Sequence, residues 1–318
     1  MAGKREELQN LWFEDGDIII AAQSRRFRVH KAFMSLHAAV IKDMLSFPQP
    51  AEQESTEGVP IVTFPDDERD MEYFVRAVYD KGYFMFASHH RPRWGTAISD
   101  REKSEPAPLP YELVESVLRM SHKYDASRIR TQALFHLVTF IAGTAGEVVR
   151  PPTKIGEPTR EMLPLLKALI SLAREVQALW ALPQLLYWTS LQPAQLLAET
   201  QMWAGRPQQL CSDDLVACLA GYQHILGDPD LVPFRSDPCP ANFTHCVWQA
   251  TGSRALQSPR VPQVAFDKFL GGDPCLGVAY KQWKGKVWDK IPAAYGLPSW
   301  DVMKGMICSD LEIPVSDA

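Results

Sequence analysis

His30 is the residue in the N-terminal part of the sequence whose type most directly suggests chemistry. Histidine titrates near neutral pH and often serves as the general base of an enzyme. His30 lies where a strand pattern passes into a helix pattern, and no nearby serine or cysteine repeats the arrangement of a nucleophile beside its base. We therefore interpret His30 as a structural residue that closes backbone hydrogen bonds or caps the helix, with a catalytic role as the alternative.

Three consecutive carboxylates, Asp66, Asp67 and Glu68, form a second candidate group. Paired carboxylates can act as general acid and general base. These three follow a predicted strand and precede a helix pattern, where the helix dipole favours negative charge. We therefore expect them to cap that helix rather than to catalyse a reaction.

A metal site is the third possibility. Cys239, His245 and Cys246 lie close together in a proline-rich stretch, and Cys275 or Cys308 could complete a set of ligands. A structural zinc site usually contains closely paired ligands such as Cys-x2-Cys, and this sequence has none. We assign no metal and expect the cysteines to be reduced thiols, mostly buried as small apolar residues.

Two basic segments could contact phosphate, nucleic acid or a membrane surface. Their residues are His89, His90, Arg91, Arg93 and Trp94 in one, and Lys281, Lys284, Lys286 and Lys290 in the other. The net charge of the chain is -5 and its pI is near 5.9, so no broad attraction to nucleic acid is expected. We interpret the first segment as a solvated insertion within residues 85–110 and the second as an amphipathic helix that docks Trp283 and Trp288.

The short motifs that usually mark an enzyme or a cofactor site are missing from the sequence. It contains no Gly-x-x-x-x-Gly-Lys-Ser/Thr, Gly-x-Gly-x-x-Gly, His-Glu-x-x-His or Gly-x-Ser-x-Gly. We therefore expect neither an enzyme nor a bound cofactor. The 318 residues, 46% of them apolar, are enough for one or two domains with buried cores.

The elements around His30 follow from changes in apolar periodicity. Phe27 and Val29 alternate as on one face of a strand, and a helical pattern follows through Phe33, Leu36, Val40 and Met44. Upstream, Trp12-Phe13 and the run Ile18-Ile19-Ile20 flank an Asp-Gly turn, which predicts a hairpin that continues to Phe27. Downstream, a strand over 61–64 and a helix over 70–79 are predicted, so the order is hairpin, helix, strand, helix.

This order and its residues resemble the BTB/POZ domain, and most closely the fungal proteins that begin Trp-Phe-Glu-Asp-Gly-Asp. The resemblance covers an Asp before a β-branched strand, then Phe-x-Val-His-Lys, two short helices, a strand, and Asp-Met-Glu-Tyr-Phe-Val-Arg-Ala-Val-Tyr-Asp. The matching positions are Asp17, Phe27, Val29, His30, Lys31, Met44, Tyr73, Val78 and Tyr79. They are spread in the family's order over some sixty residues rather than grouped in one motif.

The resemblance implies an α+β fold for residues 11–142, with a small sheet and helical hairpins. Predicted helices over 111–124 and from 128 to about 142 resemble the helical hairpin that closes such a domain. By the same resemblance, the structural positions are Asp17, Phe27, Val29, His30, Lys31 and Tyr79, and Asp17 is expected to be partly buried beside a basic or polar partner.

The function that the resemblance implies is protein binding without catalysis, as a scaffold or adaptor. The alternatives are a substrate adaptor of a cullin-type ubiquitin ligase and a transcriptional co-regulator. The best-known BTB dimers exchange a segment that precedes the Asp-containing strand, and only sixteen residues precede Asp17 here. We therefore expect a monomer or a weak homodimer, with Phe33, Leu36, His37 and Met44 as the candidate interface with itself, a cullin scaffold or another protein.

The remainder of the chain is predicted to be a linker over 143–160 and a mostly α-helical region over 161–318. The uncharged run 176–198 is long enough to span a bilayer, but its glutamines and prolines favour a buried helix pair that separates near Pro183. Ser212-Asp213-Asp214 is predicted to start a helix over 215–225.

Charged residues within the first ten positions argue against a secretory signal, so a cytoplasmic or nuclear protein is expected.

Overall fold

A computed structural model of the chain describes residues 11–47, 54–84, 109–141, 160–228 and 285–314. The fold is α+β, with a small mixed sheet near the N-terminus followed by mostly helical structure, which confirms the predicted fold class. The chain divides into two compact units. The first comprises Met1–Phe140 and Asp310–Glu312, and the second comprises Ile141–Ser309 and Ile313–Ala318.

A four-stranded sheet with the order β2-β1-β4-β3 forms the base of the first unit. Strands β1 (Ile18–Ala22) and β2 (Arg25–Val29) make the predicted antiparallel hairpin, with Ile18 opposite Val29. Strand β1 also pairs in parallel with β4 (Val59–Phe64). Since β1 is central and covered on both faces, its three isoleucines are all buried, and this explains the unbroken apolar run.

The fourth strand, β3 (Ser55–Thr56), was not predicted. It pairs antiparallel with β4 across Glu57 and Gly58, whose φ angles of 53° and 77° are both positive. Two consecutive positive φ angles are typical of the tight turns that join hairpin strands. A strand of two residues is too short to show alternation, so periodicity could not have predicted it.

Trp12 and Phe13 were predicted to belong to the first hairpin, and this prediction is wrong. Trp12 forms a parallel bridge with Arg28, and the Phe13 N–H donates to the Arg28 carbonyl over 2.9 Å, so both residues lie along the outer edge of β2. The chain turns at Gly16, where a Cβ would lie 2.9 Å from Arg28 Cγ. The segment thereby covers an edge strand that would otherwise be open to pairing.

Six helices complete the described part of the first unit. They are α1 (Lys31–His37), α2 (Ala39–Ser46), α3 (Glu68–Tyr79), α4 (Lys81–Phe84), α5 (Tyr111–Lys123) and α6 (Ser127–Ile141). Helices α1 and α2 pack as a pair, and α3 packs on α5. The predicted helices over 111–124 and 128–142 are confirmed to within a residue or two.

The turn between α5 and α6 fixes the start of α2. The carbonyls of Asp125 and Tyr124 accept hydrogen bonds from the N–H groups of Ala39 and Val40, each over 3.2 Å. The first N–H groups of a helix have no partner within the helix, and an unsatisfied buried donor is costly. The α5–α6 turn thus supplies the N-terminal cap that α2 lacks in its own sequence, since its N-cap residue is Ala38.

The second unit is described over residues 160–228 and 285–314, except for Asp310–Glu312. Its helices and strands are α7 (Leu163–Glu175), α8 (Leu182–Ser190), α9 (Ala194–Ala198), β5 (Gln201–Trp203), β6 (Arg206–Gln208), α10 (Ser212–Gly227), α11 (residues 285–294) and α12 (Trp300–Leu311). The last residues of α12 group with the first unit. Short 3₁₀ turns at Arg160–Met162 and Leu179–Ala181 precede α7 and α8. Helix α8 packs between α7 and α10, with Trp180 fully buried beside it. The β5–β6 hairpin and α12 were not predicted.

The helix break predicted near Pro183 lies several residues earlier. Helix α7 ends at Glu175, and Gln177 adopts a positive φ of 62°. Pro183 stands in the first turn of α8, where its missing N–H has no helical partner to lose. None of the described helices is long and apolar enough to cross a membrane.

The predicted start of α10 is one residue late. Cys211 is the N-cap residue, and its sulfur accepts the Asp214 N–H, while Asp213 and Asp214 occupy the first turn as expected. In α11, Val287, Trp288 and Ile291 are buried, which confirms the docked amphipathic face for the residues described. Trp283 and the lysines at 281 and 284 lie outside the described residues.

Gly221 of α10 lies directly against the ring of Tyr295. A Cβ on Gly221 would lie 2.5 Å from a ring carbon of Tyr295, much closer than real contacts. The ring has no freedom to move away, because Tyr295 is buried and its hydroxyl is 2.6 Å from Ser190 Oγ. Ser190 in turn donates to the Tyr187 carbonyl over 2.7 Å.

We expect Gly221→Ala to lower the free energy of unfolding by about 1–3 kcal/mol, because the added methyl group overpacks the buried Tyr295 ring. The matched control is Gly305→Ala in α12, where nothing lies within 4 Å of the new Cβ. This change should stabilise the chain by up to about 1 kcal/mol through helix propensity. Urea unfolding of both variants measures the difference, and equal effects of the same sign would contradict the packing argument.

Candidate functional site

The positions that the sequence marked as structural lie at the junction of β2 and α1. Phe27 and Val29 are buried in the sheet, as predicted. The Lys31 N–H donates to Asp17 Oδ1 over 2.7 Å, so Asp17 satisfies one of the first N–H groups of α1. Asp17 is nevertheless exposed, and the expectation that it is partly buried is wrong, because its partner is a backbone group at the surface.

His30 links three segments of the first unit. Its backbone N–H donates to the Tyr79 hydroxyl oxygen over 2.8 Å, its Nδ1 lies 3.1 Å from the same oxygen, and its Nε2 lies 3.0 Å from Asp15 Oδ1. His30 holds the N-cap position of α1, although its side chain makes no capping bond. These contacts agree with the interpretation that His30 closes backbone hydrogen bonds.

Burial raises the pKa of Tyr79 to about 12, so this hydroxyl keeps its proton at neutral pH. Because its oxygen already accepts the His30 N–H, its proton is available to His30 Nδ1, and Nε2–H then points to Asp15. The hydrogen bond from His30 lowers the pKa of Asp15. Aromatic rings flank the ring of Tyr79, since the ring centroids of Phe13 and Phe33 each lie 4.7 Å from its own.

The three consecutive carboxylates have separate structural roles. Asp67 caps α3 as predicted, accepting the N–H groups of Arg69 and Asp70 over 3.0 and 3.3 Å. Glu68 accepts hydrogen bonds from the backbone and hydroxyl of Ser24. The prediction that Asp66 also serves as a cap is wrong, since it reaches a different helix.

Asp66 joins the end of β4 to the end of α5. Its carboxylate accepts Lys123 Nζ over 2.6 Å and the hydroxyl of Tyr124, and its side chain is only 9% exposed. Burial raises the pKa of Tyr124, and the hydrogen bond to Asp66 raises it further. The Tyr124 ring packs against Phe64 and Phe74, with centroid distances of 5.6 and 5.9 Å.

The sites that could hold a metal or contact phosphate are only partly within the described residues. Cys239, His245, Cys246 and Cys275 lie outside them, as do the basic residues between 89 and 94. Cys308 is buried in α12. Across residues 11–47, 54–84, 109–141, 160–228 and 285–314, no three His, Cys, Asp or Glu side chains come together as metal ligands would.

The candidate interface residues lie on the helical hairpin, and their exposure differs. Leu36 is 76% exposed, whereas Phe33, His37 and Met44 are partly buried. The Phe33 ring contacts both Tyr79 and His37, the latter in an edge-on arrangement at 4.8 Å. Leu36 is therefore the exposed apolar residue of this set, whereas Phe33 packs against Tyr79 and His37.

Two further large apolar residues are exposed, one in α2 and one directly after it. Val40 is 41% exposed and Phe47, which follows α2, is 68% exposed. Within the described part of the first unit, every large apolar side chain that is exposed lies in this hairpin or directly after it. We call Leu36, Val40 and Phe47 the α1–α2 face. Neither Val40 nor Phe47 was among the predicted interface residues. Phe47 follows the helical pattern and directly precedes a proline.

A groove lies in the same unit, and we call it the α6 groove. It is lined by residues from the end of α1, the end of α3, α4 and the first turns of α6: His37, Ala77, Val78, Phe84, Arg128, Ile129 and Gln132. Its cavity volume is about 30 Å³. No sequence pattern marked it, because its residues come from four separate segments.

His136 of α6 secures one wall of this groove. Its Nε2–H donates to the Phe84 carbonyl over 2.9 Å, and its ring centroid lies 5.0 Å from that of Phe84. Burial lowers the pKa of His136, although the bond to the carbonyl opposes that effect. The short helix α4 is therefore held against α6 by a histidine that is favoured in its neutral form.

The two aspartates allow a direct stability comparison. We expect Asp66→Ala to lower the free energy of unfolding by about 1–3 kcal/mol, because it leaves the buried Tyr124 hydroxyl without its partner. Asp17→Ala should cost about 1 kcal/mol or less, since the exposed Lys31 N–H can bond to water. Chemical unfolding of both variants checks the order, and a larger loss for Asp17→Ala would contradict it.

The pH dependence of stability should report on His136. In the unfolded chain this histidine takes up a proton near its ordinary pKa of 6.5, whereas the folded chain takes it up only at lower pH. The free energy of unfolding should therefore be fully retained above pH 6.5 and fall as the pH drops below it.

The variant His136→Gln can still donate to the Phe84 carbonyl but cannot titrate, so the fall below pH 6.5 should become shallower. The matched control His122→Gln, on the partly exposed side of α5, should keep the wild-type slope. Urea titrations at several pH values between 5 and 8 make the comparison. The same slope for His136→Gln and wild type would refute the assignment.

Comparison of the chain with protein-family models, with curated proteins and with solved structures found no match. The function must therefore be argued from the residues and geometry of the chain itself.

Proposed function

We propose that this chain is a protein-interaction module of the BTB/POZ type and that it binds another protein through the α1–α2 face. The observation that carries the proposal is the exposure of Leu36, Val40 and Phe47. The order of elements supports the family, since a hairpin, two short helices, a strand and a helix follow one another as in the resembled domain. The contacts of Asp17 and His30 at the β2–α1 junction are consistent with it.

Physical chemistry favours a protein partner for this face. Monomeric proteins rarely gather their exposed large apolar side chains in one place, and such patches mark interaction surfaces. Covering one leucine or phenylalanine side chain contributes about 1.5–3 kcal/mol of favourable transfer free energy. Neighbouring Lys42 and Asp43 are exposed and of opposite charge, so the partner need carry no strong charge of its own.

The α1–α2 face can bind either a second copy of this chain or a different protein. Self-association through so small an area would be weak and concentration-dependent, because interfaces below about 1,200 Å² tend to be transient. A cullin scaffold is the alternative partner that the family resemblance implies, and the second unit would then be available to hold a target. The experiment below separates these partners.

The test compares proteins captured by the tagged full chain and by its Leu36→Asp variant, using affinity purification and mass spectrometry. We expect the variant to lose its specific partners at least tenfold, because a buried charge replaces an apolar anchor. The matched control is Val302→Asp in α12, which changes another exposed apolar residue, 51% exposed, in the second unit.

Light scattering over a dilution series measures self-association of the same three proteins. A cullin captured by wild type and lost with Leu36→Asp would favour the adaptor role, and a dimer lost in the same way would favour self-association. Equal partner sets and equal masses for wild type and Leu36→Asp would contradict the proposed function.

A further inference from the structure

We draw no further inference here: the strongest candidate, the surface patch on α10 formed by the exposed side chains of Val216 and Leu219, carries nothing because no contact within the described residues shows what covers it.

Discussion

Tyr124, at the end of α5, is the residue on which the rest of the first unit depends. Its hydroxyl reaches Asp66 at the end of β4, its ring packs on Phe64 and Phe74, and its carbonyl accepts the Val40 N–H at the start of α2. One residue therefore joins the sheet and three helices. Because an unmade hydrogen bond at a buried hydroxyl is costly, these contacts are maintained together rather than one by one.

The same anchoring explains why apolar side chains remain exposed on α1 and α2. The start of α1 is fixed by Asp17 and the His30–Tyr79 contact, and the start of α2 is fixed by the carbonyls of the α5–α6 turn. Leu36 lies between these two fixed points, so the hairpin cannot rotate to bury it without breaking both sets of hydrogen bonds. The exposure of Leu36 therefore follows from the backbone hydrogen bonds that fix both helices.

The long and regular elements could be predicted from local periodicity. The other features depend on contacts between residues far apart in the sequence, which a local pattern does not show. Strands β1 and β2 and helices α5 and α6 were predicted because alternation and helical spacing extend over five or more residues. Asp66 was predicted to cap the following helix. Its actual partner, Lys123, is far away in sequence and could not be read from the local pattern. The α6 groove left no pattern for the same reason. Of the α1–α2 face only Leu36 was predicted, because it stands at an apolar position of the helical repeat.

The wall of the α6 groove shows how a short helix is held in place. His136 donates a hydrogen bond to the Phe84 carbonyl, and its ring packs against the Phe84 ring. Burial lowers the pKa of His136, so the neutral form of the ring is favoured. The position of α4 therefore depends on a histidine whose burial both packs the helix and disfavours its charged form.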